Sequence, residues 1–212
     1  MLRGRRGPTV RKKLDWPARP EAKRHAVPAN GKNTVIFVPT SLPGIVVIEP
    51  ELQTDERGFF ARTWCEQEFA VHNIPCRWVQ NNVSFNKRRG TLRGLHYQAA
   101  PHEETKLVQC TRGAIYDVVV DIRPASPFFG RWSSFELTAE NHRMLYIAPG
   151  FAHGFQTLND RTEVQYHMSA PYALEAARGL RWNDPSLSIP WPEPPTCISH
   201  RDENWPLLRK CA

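Results

Sequence analysis

From Thr34 onward, short runs of β-branched and aromatic residues recur at intervals of roughly ten, separated by Gly, Pro, Asn and Asp. The pattern predicts strands over 35–39, 45–49, 59–64, 77–84, 92–98, 106–110, 115–122, 132–137, 144–148, 154–158 and 163–168. Only 66–72 and 174–177 read as helical, and both are short. Helices between strands and a Gly-rich phosphate turn, the marks of a parallel α/β sheet, are missing. Many short strands without long helices predict an all-β sandwich or barrel. There is no internal repeat.

The alternation within these strands is informative. Over 77–84 a period of two sets Trp78, Gln80, Asn82 and Ser84 on one face and Val79 and Val83 on the other. Over 163–168, Val164, Tyr166 and Met168 share a face opposite Glu163, Gln165 and His167. Tyr166 is thus expected to point inward among apolar neighbours, as an ordinary core tyrosine also does. Over 115–122, Tyr116, Val118, Val120 and Ile122 alternate with Ile115, Asp117, Val119 and Asp121. Acids between valines fit a sheet face bordering a polar cavity, or equally a solvated face.

Composition then narrows the class. The 212 residues are 41% hydrophobic, enough for a core, but no apolar run approaches the ~20 residues of a membrane helix, so no membrane partner is expected. The net charge of +7 is concentrated: residues 1–33 hold ten Lys or Arg against Asp15 and Glu21, which is +8 and leaves −1 for residues 34–212. With Pro8, Pro17, Pro20 and Pro28, residues 1–33 read as a disordered basic arm preceding a single domain, 34–212. Such an arm can touch an acidic surface or nucleic acid, but a solvated extension is the preferred reading. It has no apolar stretch of secretory type. Cys65, Cys76, Cys110, Cys197 and Cys211 form no C-x-x-C pair and are odd in number, so a reducing cytoplasm is expected.

Chemistry concentrates in three segments: Arg93-Gly94-Leu95-His96-Tyr97-Gln98 followed by Lys106, Pro149-Gly150-Phe151-Ala152-His153-Gly154-Phe155, and Ser199-His200-Arg201-Asp202. A lone histidine on a strand is usually packed or solvated. Two histidines in polar, Gly-flanked strands carry more weight, because glycine lets a backbone or ligand come close. In a regular strand Arg93 and His96 face opposite sides. Gly94 between them can host a bulge or a kink, either of which would restore a shared side.

Four blocks, Asp55-Glu56-Arg57-Gly58-Phe59-Phe60, Arg93-Gly94-Leu95-His96-Tyr97-Gln98, Gly150-Phe151-Ala152-His153-Gly154-Phe155 and Trp182-Asn183-Asp184-Pro185, resemble the dTDP-4-dehydrorhamnose 3,5-epimerases, the dTDP-sugar epimerase branch of the cupins. The resemblance runs from about Ile45 to Asp202. It implies a jelly-roll β-barrel, a homodimer, no metal or other cofactor, and a nucleotide-linked 4-keto sugar bound inside the barrel. The implied reaction removes a proton next to a ketone, which needs a base on one ring face, an acid on the other and a positive group at the developing oxyanion. By resemblance His96 is the base, Tyr166 the proton donor, Asp202 the partner of the base and Lys106 the residue near the keto oxygen. Arg57, Arg93 and Arg201 fall among the substrate contacts, as cations suited to a diphosphate. Gln80, Asn82 and His153 supply neutral hydrogen bonds, and Asp117 is a partner for one histidine.

The chain departs from the family pattern at Arg62, where many members carry an acid, and at Ala177, where a substrate-contacting glutamate is usual; Glu175 lies two residues earlier. The loop over 85–89 carries one extra residue. These changes spare the proton-transfer set and touch nucleotide or sugar contacts, leaving open which sugar is used and whether C3, C5 or both invert. The competing reading is a metal-dependent cupin oxygenase or isomerase using His96, His102, Glu104 and His153. Gln98 stands where the second histidine of its H-x-H pair belongs, which disfavours it.

Overall fold

Alternating β-branched and polar residues pair into strands here because no segment carries a helical stripe long enough to compete. The computed structural model describes residues 34–74 and 77–209; the expected basic arm, 1–33, lies outside them. The strands are β1 Val35–Pro39, β2 Ile45–Pro50, β3 Gln53–Asp55, β4 Gly58–Phe60, β5 Gln80–Asn86, β6 Leu92–Gln98, β7 Lys106–Arg112, β8 Ala114–Asp121, β9 Trp132–Thr138, β10 Met144–Ile147, β11 Phe151–Thr157, β12 Thr162–Met168 and β13 Ala177–Gly179. Helix α1 spans Glu66–Val71, α2 spans His200–Glu203, and a single 3-10 turn covers Leu174–Ala176. The strands expected over 35–39 and 92–98 match β1 and β6 to the residue. That expected over 59–64 contracts to β4, and that over 77–84 slides to β5. Strands β3 and β13 and helix α2 were not anticipated; three or four residues show no periodicity.

Two antiparallel sheets face each other, in the orders β1-β2-β10-β7-β12-β5 and β13-β6-β11-β8-β9, with β3-β4 as a separate hairpin. Neighbours distant in sequence, as in β10-β7-β12-β5, give the crossovers of a jelly roll, in keeping with the expected all-β class. Val47, Val108, Leu145 and Val164 from the first sheet pack with Ile115, Val119, Phe135 and Phe155 from the second. Each large side chain buried there contributes about 1.5–3 kcal/mol. The outer face of β8 is covered as well: Tyr116, Val118 and Val120 pack under Leu180 and Leu187. That second cover is why all of β8 is buried.

The expected polar face of 115–122 divides. Asp117 lies fully buried beside His153. Asp121 is bound by Arg123 at 2.5 Å and Ser126 at 2.7 Å, away from the cavity that Tyr166 lines. In β5 the polar face, Gln80, Asn82 and Ser84, turns inward to a cavity. The apolar side chains of Val79, Val83 and Phe85 remain exposed, Val83 to 62%. Trp78 leaves its expected companions and packs with the α1 cluster. Among the described residues no helix is long and apolar enough to cross a membrane.

Candidate active site

The site is set by a fault in β6. His96 pairs with His153 and Arg93 with Phe155, so Gly94 and Leu95 together oppose Gly154. This is the bulge expected at Gly94, and it brings Arg93 and His96 into one cavity. Gly94 has φ +117°, and a Cβ there would lie 2.5 Å from the Gly154 Cα. Only glycine fits both the conformation and the space. The bulge also frees the Gly94 N–H, which donates to Asp202 Oδ2 at 3.2 Å.

Asp202 arrives on α2. Its own N–H is held by the N-cap Ser199 hydroxyl at 3.1 Å, leaving the carboxylate free to reach His96 Nε2 at 2.7 Å. Burial alone would raise the Asp202 carboxyl. The His96 hydrogen bond and charge, with the Gly94 N–H and Trp205, outweigh it and hold the carboxyl below the usual carboxylate range. An ionised partner fixes the orientation of the His96 ring.

The cavity has a volume of about 350 Å³ and lies between the two sheets. His96, Arg93 and His153 line it from the β6 and β11 side; Gln80, Asn82, Lys106 and Tyr166 line it from β5, β7 and β12; Arg201 lies at its rim on α2. Lys106 is buried, with Nζ 3.0 Å from Glu104 and donating to the His96 carbonyl at 3.3 Å. Burial pushes the Tyr166 hydroxyl well above the ordinary phenol range; nearby Asp117 adds to this and Arg93 opposes it. His153 Nε2 lies 2.8 Å from Asp117 Oδ2, and burial raises that carboxyl against the opposing pull of His153 and Lys106.

Asp202 stands behind His96 without lining this cavity, and Arg57 does not reach it at all. Arg57 sits at the β3-β4 turn, paired with Asp55 at 2.6 Å, in a separate hollow lined by Phe59 and Phe60. Arg62 pairs with Glu68 of α1. Ala177 lines the cavity, whereas Glu175 is exposed and lies 3.8 Å from His102. Sequence reasoning missed Trp205, Tyr97 and Arg178 as lining residues, and took Glu104 only as a metal ligand. Trp205 follows Asp202 by three residues, just past the C-terminal end of α2, a placement visible only once α2 is known.

The four residues of the metal reading are engaged separately: His96 with Asp202, His153 with Asp117, Glu104 with Lys106 and His102 beside Glu175. Among the described residues no three His, Cys, Asp or Glu side chains gather as a ligand set.

Residues 39–210 match the family model described as dTDP-4-dehydrorhamnose 3,5-epimerase. A Sinorhizobium fredii protein of that description is 42% identical over 173 residues, covering 81% of this chain and 89% of its own. The structure of the Bacillus anthracis enzyme with TDP and PPi bound is 40% identical with a TM-score of 0.81, covering 82% of this chain and all of that one. A 3'-monoepimerase from Streptomyces bikiniensis in complex with dTDP-quinovose is 36% identical with a TM-score of 0.74, covering 80% and 86%. Fold and cavity together define a sugar-nucleotide epimerase. More particularly, the chain belongs to the dTDP-4-dehydrorhamnose 3,5-epimerase family.

Proposed function

We propose that the protein inverts a dTDP-linked 4-keto-6-deoxy sugar by removing and returning a proton beside the ketone. His96 is the base, oriented by Asp202. Lys106 steadies the oxyanion, and Tyr166 delivers the proton to the opposite ring face. Arg93 and Arg201 bind the diphosphate, with Gln80, Asn82 and His153 as neutral contacts. The observation that carries this reading is the division of the proton-transfer pair between facing sheets: His96 on β6, Tyr166 on β12, with one cavity between them. A ring held there meets a base on one side and an acid on the other, as inversion requires.

The hairpin carrying Arg57 and the exposed Phe59, Phe60 and Val83 support a homodimer in which Arg57 serves a second copy's cavity. The reaction is checked by incubating the protein with dTDP-4-keto-6-deoxyglucose in deuterated water and locating deuterium by NMR. Incorporation at C3, C5 or both is expected, and the pattern tells a double from a single inversion. No incorporation at either carbon sinks the proposal for this substrate.

A further inference from the structure

Trp205 closes the His96 side of the cavity and engages three parts of the site. Its Nε1–H donates at 3.2 Å to Asp202 Oδ1, the same oxygen that lies 2.7 Å from His96 Nε2. Its ring meets the His96 ring edge-on, with centroids 6.3 Å apart and planes at 71°. The Arg201 guanidinium lies over the indole, 4.7 Å from its centroid. Space for the indole comes from Gly179, where a Cβ would stand 2.5 Å from its ring atoms. Gly179 pairs in turn with His96 across β13 and β6, so sheet edge, indole and base form one packed unit.

We infer that Trp205 is a positioning residue that fixes the base's carboxylate through its N–H and the phosphate-binding Arg201 through its ring face. The inference rests on the roles proposed above for His96 and Arg201. An oxygen shared by two N–H donors cannot swing without losing both bonds, so the indole restricts Asp202 to the geometry His96 needs. Arg201 is otherwise an exposed, rotamer-rich side chain, and an aromatic platform lowers the entropy lost when it grips a diphosphate. The two duties reside in different atoms and are separable by substitution.

Trp205→Phe keeps a ring face and removes the N–H. Trp205→Ala removes both. Each is compared with the parent enzyme and His96→Ala for kcat, KM, solvent deuterium exchange and calorimetric affinity for dTDP, with thermal melts to verify folding. Trp205→Phe is expected to lose about tenfold in kcat with dTDP affinity held within about twofold, the size of one hydrogen bond to a charged group. Trp205→Ala should lose kcat similarly and weaken dTDP binding about fivefold, the size of one cation–π contact. If Trp205→Ala fails to fold, the split in Trp205→Phe decides alone. Parental kcat in Trp205→Phe, or equal losses of kcat and affinity in that variant, overturns the inference while an inactive His96→Ala leaves the base assignment standing. Persisting exchange in His96→Ala instead overturns the base assignment.

Discussion

Tyr166 keeps its proton more firmly than a solvated tyrosine, because burial and the neighbouring Asp117 both disfavour the phenolate. In the proposed mechanism it therefore enters each turnover as a loaded donor. Tyr166→Phe deletes the hydroxyl but almost no volume, so the fold should hold. Base and oxyanion partner are untouched, and the variant should exchange substrate hydrogen with deuterated solvent while forming little inverted sugar; equal loss of both would make Tyr166 a sugar-positioning group. His96→Ala should lose about 10²–10⁴ in rate, the span of a general base, with exchange falling in step. Asp202 carries a pH signature. Its carboxyl is depressed in the folded protein, so its stabilisation is present above the ordinary value near 3.8 and is lost as pH falls through the lower folded value. Asp202→Asn should flatten that acid limb in melting curves taken between about pH 5 and pH 2. At this scale the sequence was legible for the gathering of His96, Lys106 and Tyr166 at one cavity, through the Arg93–Gln98 segment, the lysine that follows it and the alternation over 163–168. It was opaque for Trp205, whose importance comes from the space above Gly179, a contact between residues 26 positions apart.

Among the elements, β6 does the most with the least regular backbone. The bulge puts Arg93 and His96 on one side and aims the Gly94 N–H at Asp202. Gly94→Ala adds a methyl group against the backbone of Gly154. It should cost about 3 kcal/mol or more and lower kcat together with the denaturation midpoint, as a surface substitution would not. The bulge could be anticipated because two side chains of one function sat on opposite strand faces with a glycine between them. For β5 the alternation was equally clear, yet a period of two says only that the faces differ. The inside of this sheet near β5 is a polar cavity rather than core, so the hydrophilic face turned in and the valines turned out. Elements of three or four residues, β3, β13 and α2, owe their conformation to partners: β13 to β6, and α2 to the Ser199 cap and the His96 contact.

For the molecule as a whole, the proposed dimer has a direct test. Mixing His96→Ala with Arg57→Ala, each inactive alone, should restore turnover after subunit exchange, because one cavity in each mixed dimer combines an intact His96 with an intact Arg57 from the other copy. No recovery in mixtures shown to exchange would mean that Arg57 acts within its own chain, and full activity of Arg57→Ala by itself would mean that it does not act at all. Deleting residues 1–33 should leave turnover unchanged, since the remaining residues form the described sandwich and carry a near-neutral net charge. Because the proposed base and donor hang from separate sheets, the gap between them is set by the side chains that hold those sheets apart. Under the proposed mechanism the interior works as a calliper whose setting governs stereochemistry. Leu145→Ala, a buried truncation costing about 2–5 kcal/mol, should loosen that setting. A ring poorly gripped between loosened walls is reprotonated by the wall that deprotonated it. Handedness of the product should then fail at temperatures where the chain is still folded, read as a rising ratio of deuterium exchange to inversion.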